Sequence, residues 1–262
     1  MASDLIFIVG RQRSGTSVFR AHLLKNGAFD AGEIFHDSLT MDHAFYRYVA
    51  ERVKTDPALM HPASHPQMFR EYIGHLRGLA QGSPIAMDVK YFGLHLIPFW
   101  GSQVGRGKFF VIKFMKDSGA HLIHIARRNK LRVHVSEAIA AATGEWFKDR
   151  PDAGAKDPKI EIDCATLVGR IRDLCGQEQA VRQQLKSIDG HRELFYEEMF
   201  LADGRFAPET VAAMESALGK KGLGDEPPHY RMNPQSLPDI VSNFERVADT
   251  LAPTPYAWMT AG

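Results

Sequence analysis

The sequence predicts an α/β protein with a mostly parallel central sheet flanked by helices. Two observations carry that reading. Short apolar runs alternate along the chain with longer stretches of helical pattern, as strands do when crossover helices join them. The first run also passes straight into a glycine-bearing turn and a segment able to open a helix, which is how a sheet strand feeds an anion-binding loop.

Taken in order, residues 5–9 (Leu-Ile-Phe-Ile-Val) form a continuous apolar run expected to be a strand buried on both faces. Helical patterns at 41–54 and 67–80 precede a second strand at 85–91, which carries Asp88 and Lys90 within an apolar run. Residues 109–114 and 122–126 read as the third and fourth strands. A helix over 131–142 follows, with Val133, Ala138 and Ala141 or Ala142 able to share its packed side. A long helix at 165–185, a strand at 193–196 and a helix at 208–218 complete the regular structure. Ligands on such sheets bind at the carboxyl ends of the strands, so Arg13, Lys90 or Tyr91, Arg128 and Glu197 are expected near one edge. There is no internal repeat, no low-complexity tract and no convincing linker, and a single domain over 1–262 is expected.

The segment Gly10-Arg11-Gln12-Arg13-Ser14-Gly15-Thr16-Ser17 has the layout of a phosphate-binding loop. Successive backbone N–H groups in such a loop curl round an anion, and the next helix adds the partial positive charge of its N-terminus. A nucleoside-triphosphate loop reads G-x-x-x-x-G-K-[ST], but Thr16 stands at the lysine position and the cation lies inside the loop, at Arg13. That suits a phosphate held while another group leaves it.

A second stretch has the same logic. The apolar run ending at Ala126 enters a basic turn, Arg127-Arg128-Asn129-Lys130, and then a helix bearing Ser136. Arg128 and Ser136 are eight residues apart, so a strand-end guanidinium and a hydroxyl in the first turns of the helix can face one anion. The planar fork of arginine suits bidentate phosphate binding. Two anion sites at two strand ends imply a ligand with two separated phosphate-like groups.

The pair RSGTS and RNKLRVHVS, in that order, resembles the sulfotransferases that use 3′-phosphoadenosine-5′-phosphosulfate (PAPS). The segments Gly32-Glu33-Ile34-Phe35, Thr143-Gly144-Glu145-Trp146-Phe147 and Asn243-Phe244-Glu245-Arg246-Val247 resemble the bacterial carbohydrate branch of that family. That branch includes trehalose, nodulation-factor and lipopolysaccharide sulfotransferases. The resemblance implies a P-loop-like sulfotransferase fold and PAPS as sulfuryl donor. It assigns Arg11, Gln12, Arg13, Ser14, Gly15, Thr16 and Ser17 to the 5′-phosphosulfate loop, and Arg128 with Ser136 to the 3′-phosphate. It further implies that Glu33 activates the acceptor hydroxyl.

Sulfuryl transfer needs charge stabilisation on the leaving and bridging oxygens and a base for the acceptor. Arg13, permanently protonated, is the charge stabiliser. Glu33 is one candidate base, provided that burial or a neighbouring carboxylate raises its proton affinity. His36 is the other, since imidazole titrates near neutrality without tuning. Asp88 and Lys90 are read either as groups that bind substrate or complete the charge network, or as a strand-end salt bridge, and Trp146 and Phe147 either as pocket lining or as core. Residues 148–159, rich in proline and charge, read either as a solvated loop or as a lid over the acceptor.

Composition sets the remaining expectations. A net charge of +1 gives no global reason to expect nucleic acid, and the basic cluster at 127–132 is short and lacks interleaved aromatics. No metal-ligand spacing such as C-x-x-C or H-E-x-x-H occurs, so no metal is expected. Cys164 and Cys175, eleven apart on one helix, are too far apart for a disulfide and read as reduced thiols. Without a run of 18 apolar residues or a leader pattern ahead of the first strand, no integral membrane segment and a cytoplasmic location are expected. The acceptor is expected to be a small molecule or glycoconjugate; neither its identity nor the oligomeric state is encoded in these motifs. Two alternatives stay open: a P-loop-type small-molecule kinase, and a non-catalytic module that binds PAPS or its bisphosphate product.

Overall fold

A computed structural model describes residues 3–97, 109–144, 159–228 and 235–261. Five parallel strands form one sheet in the order β2-β3-β1-β4-β5: β1 (Leu5–Gly10), β2 (Phe29–Glu33), β3 (Ile85–Lys90), β4 (His121–Ala126) and β5 (Arg192–Phe195). β1 is central, and its last residue, Gly10, pairs with Lys90 on one side and Ile125 on the other. The chain leaving β1 therefore emerges between the carboxyl ends of β3 and β4.

Alternation of side chains along β1 divides the core into two layers. Ile6 and Ile8 face α1 (Thr16–Lys25) and α7 (Pro208–Leu218), packing with Phe19, Leu23 and Met214. Leu5, Phe7 and Val9 face α2 (Phe45–Thr55), α3 (His65–Ala80) and α4 (Phe110–Asp117), in a layer rich in aromatic rings. A third cluster lies outside the sheet, where α5 (Lys130–Thr143) and α6 (Cys164–Leu185) pack with α8 (Leu237–Ile240) and α9 (Phe244–Leu251).

The helices at 131–142, 165–185 and 208–218 appear within one residue of their expected ends, and the helix expected from residue 41 begins at Phe45. Two expectations fail. Residues 109–114 are not a strand: they enter α4, because Phe110, Val111 and Met115 recur at helical spacing and are buried while Lys113 and Lys116 project outward. The fifth strand is instead β2, whose sequence Phe-Asp-Ala-Gly-Glu lacks β-branched residues and is held by pairing with β3. On α5 the packed side is Leu131, Val133, Val135, Ser136, Ile139 and Ala140, with Ala138 partly buried against the same cluster; Ala141 and Ala142 are exposed. Cys164 and Cys175 are half-buried free thiols on α6.

Candidate functional site

The loop after β1 is shaped by two residues with left-handed backbone, Arg13 (φ 66°) and Gly15 (φ 94°). An arginine in that region costs roughly 1 kcal/mol, a strain of the kind functional loops hold. Two contacts hold it there. Arg127 donates to the Arg13 carbonyl at 3.1 Å, and Arg13 Nε donates to Ser136 Oγ at 2.8 Å. Glycine is required at both ends of the loop. A Cβ on Gly10 would lie 2.5 Å from Thr16 Cγ2 and 2.8 Å from the Ile125 carbonyl, and one on Gly15 would lie 2.7 Å from the Tyr196 ring.

The loop residues divide by role. Ser14 is buried and bonds the Arg11 carbonyl, closing the turn. Thr16 is buried and accepts from Lys90 Nζ at 2.6 Å. Gln12 is half-buried, and Ser17 is exposed on the first turn of α1. Arg11 is turned toward the helices, with Nε on Glu137 at 3.0 Å and a terminal nitrogen on Gln177 at 2.7 Å. The N-cap of α1 is Gly15, which has no side chain to engage the first-turn N–H groups of the helix. Burial pulls the Arg13 guanidinium below its ordinary range, with Tyr196 and Glu137 opposing that shift.

The second motif meets the first through Ser136. Its arginine, Arg128, lies over the Phe195 ring, 3.7 Å from the centroid, and pairs with Glu198. Glu197, from the turn Tyr196–Glu198, accepts the backbone N–H groups of Arg128 and Asn129, both at 3.0 Å. Asn129 caps α5 by accepting from the Arg132 N–H at 2.9 Å. Below the turn, Lys130 forms a buried pair with Glu178 and bonds the Arg127 carbonyl. Glu178 also accepts from Arg182, which reaches Glu193 at 2.6 Å. His124 Nδ1 lies 2.9 Å from Glu193, and Tyr91 contacts the other ring nitrogen at 2.9 Å.

Glu33 stands at the end of β2 because of a bulge. Phe29 and Asp30 pair with Ile85 and Ala86, then Glu33 pairs with Asp88, so Ala31 and Gly32 oppose Met87 alone. Gly32 takes the positive φ (68°) that such a bulge needs. Burial pushes the Glu33 carboxyl above the ordinary range and Asp88 adds to this, while Lys90, His36 and Arg20 oppose it. His36 has its Nδ1 engaged, accepting from the Ser38 N–H at 3.0 Å and lying 3.1 Å from Asp37. A neutral ring in that arrangement has no free lone pair. The surroundings of Glu33, burial foremost, raise its basicity.

The structure thus gathers Arg13, Thr16, Lys90 and Ser136 around one loop and sets Glu33 beside Asp88 at the same sheet end. Arg127 and Tyr196, neither singled out from sequence as site residues, brace the loop, the guanidinium lying 4.5 Å from the ring centroid. Arg127's place directly after an apolar strand was the available signal. Trp146, Phe147 and residues 148–158 lie outside the described residues. Among the described residues no group of three His, Cys, Asp or Glu side chains could hold a metal ion, and no helix is long and apolar enough to cross a membrane. Comparison with known protein-family profiles and with curated protein sequences returns no match for this chain.

Proposed function

We propose that the chain is a PAPS-dependent sulfotransferase acting on a hydroxyl of a carbohydrate or glycoconjugate. The observation that supports this most is the 2.8 Å bond from Arg13 to Ser136, which joins two anion-binding motifs 123 residues apart. A ligand with phosphate-like groups at both ends matches that pairing better than a nucleotide phosphorylated at one end only.

In this reading the loop and the start of α1 hold the 5′ end of the donor, and Arg13 and Lys90 supply positive charge to the oxygens that gain charge as the sulfur–oxygen bond breaks. Arg128 and Ser136 hold the 3′-phosphate. Glu33 takes the proton of the acceptor hydroxyl as its oxygen bonds to sulfur. Its burial serves that task, because a carboxylate with a raised proton affinity is the better base.

A small-molecule kinase is the second reading, and one contact favours it. Lys90 Nζ on Thr16 brings an ammonium to the loop position where ATP-binding loops carry lysine. Calorimetric titration decides between them. Adenosine 3′,5′-bisphosphate should bind without metal and far more tightly than AMP. Tight binding of ATP with magnesium, and indifference to the 3′-phosphate, would sink the sulfotransferase reading and promote the kinase.

A further inference from the structure

Asp88 and Lys90 are two residues apart on β3, so both side chains leave the sheet on the face covered by α1. They are 2% and 4% exposed. The Lys90 ammonium donates to Asp88 Oδ2 at 2.8 Å and to Thr16 Oγ1 at 2.6 Å. The remaining carboxylate oxygen, Asp88 Oδ1, is buried with no hydrogen-bond partner among the described residues. An oxygen left so is costly, and a simple strand-end salt bridge does not account for it. Across the sheet the β2 bulge sets Glu33 opposite Asp88, and the Ile34 N–H fastens the register by donating to the Asp88 carbonyl at 3.1 Å.

We propose that Asp88 is a positioning residue whose carboxylate pins the Lys90 ammonium to Thr16 and sets a second negative charge opposite Glu33, the proton acceptor. The consequence for catalysis rests on the sulfotransferase reading; the charge arrangement does not. The groups acting on Glu33 are Asp88 and Lys90 from β3, Arg20 from α1, and His36 from the segment after β2. Arg20 is paired with Asp30, and His36 lies against Asp37. Asp88 and Lys90 act on Glu33 in opposite directions, and one bond couples them.

Two substitutions should move the Glu33 titration oppositely. Asp88→Asn removes a negative charge and loosens Lys90, so Glu33 loses its proton at lower pH. Lys90→Met removes the positive charge, so Glu33 holds its proton to higher pH. A charge within about 4–6 Å displaces a carboxyl by roughly one pH unit or more. The measurement is carbon-13 NMR titration of glutamate carboxyls in the whole chain, with Glu33→Gln identifying the resonance. Opposite displacements in the two variants are expected. An unmoved midpoint in either variant, or movement in the same direction in both, overturns the proposal. If Asp88→Asn fails to fold, Asp88→Ser takes its place, and an unmoved or raised midpoint in that variant rejects the proposal. The acid limb of the transfer rate should follow the NMR midpoints. Absence of transfer activity in the unaltered protein, with the NMR displacements intact, rejects the sulfotransferase reading and leaves the Asp88 assignment standing.

Discussion

The Glu197 carboxylate accepts the backbone N–H of Arg128 at 3.0 Å and so occupies a donor that the basic turn would otherwise offer to an anion. Its neighbour Glu198 covers the Arg128 guanidinium. The proposed 3′-phosphate site is thus lined by its own carboxylates, and a nucleotide must compete with Glu198 for Arg128.

Glu198→Gln should therefore tighten binding of adenosine 3′,5′-bisphosphate and leave AMP affinity unchanged. The Arg128–Glu198 pair is exposed, and such pairs are worth at most about 1 kcal/mol, so the gain should not exceed about fivefold. Calorimetry with both nucleotides checks it. Weakened bisphosphate binding would show that Glu198 orients Arg128 and does not compete for it.

Arg128→Ala should weaken bisphosphate binding by about tenfold to a hundredfold, the span of a charge-assisted hydrogen bond. AMP affinity should hold. An equal loss for AMP removes Arg128 from the 3′ site.

Arg13→Ala should lower turnover by about a hundredfold to a thousandfold, as loss of one preorganised charge-stabilising donor does. Steady-state kinetics at saturating donor measures this. Turnover within about threefold of the unaltered protein would take Arg13 out of the chemistry.

Gly10→Ala should destabilise the fold by about 1–3 kcal/mol, the usual range for an overpacked site. The new methyl would press on Thr16 and on the Ile125 carbonyl, and the latter belongs to a central strand that cannot yield. Urea denaturation gives the difference, and an unchanged midpoint would show that the loop has room to relax.

Glu193 predicts an acid-sensitive step in stability. The His124 ring 2.9 Å away, and after it the bond from Arg182, hold its carboxyl down at about 2, against 4.5 for an ordinary glutamate. As pH falls the unfolded chain takes up that proton first. The contribution is therefore complete above about 4.5 and is lost as pH falls toward 2. Glu193→Gln should flatten the urea midpoint across that window, and a slope equal to that of the unaltered protein would contradict the assignment.

Much of the frame was legible from residues alone. β1, β3, β4 and most of the helices announce themselves by largely apolar runs or by helical spacing, and the two basic motifs by arginine and small polar residues after such runs. β2 was not legible, because a short bulged strand with two carboxylates takes its conformation from β3 and not from its own propensity. α4 misled for a related reason: a short apolar stretch serves strand or helix equally, and the pattern of burial decides which.

By itself the sequence determined the α/β class, the loop and the second basic turn, since these depend on local periodicity and on residue types adjacent in the chain. Tertiary structure alone decided that Arg13 meets Ser136, that Asp88 faces Glu33 across a bulge, and that Glu197 and Glu198 lie on the basic turn. Each of those contacts joins segments far apart in the chain. Their distances follow from sheet order and register, which are set by packing the whole core and not by any single segment.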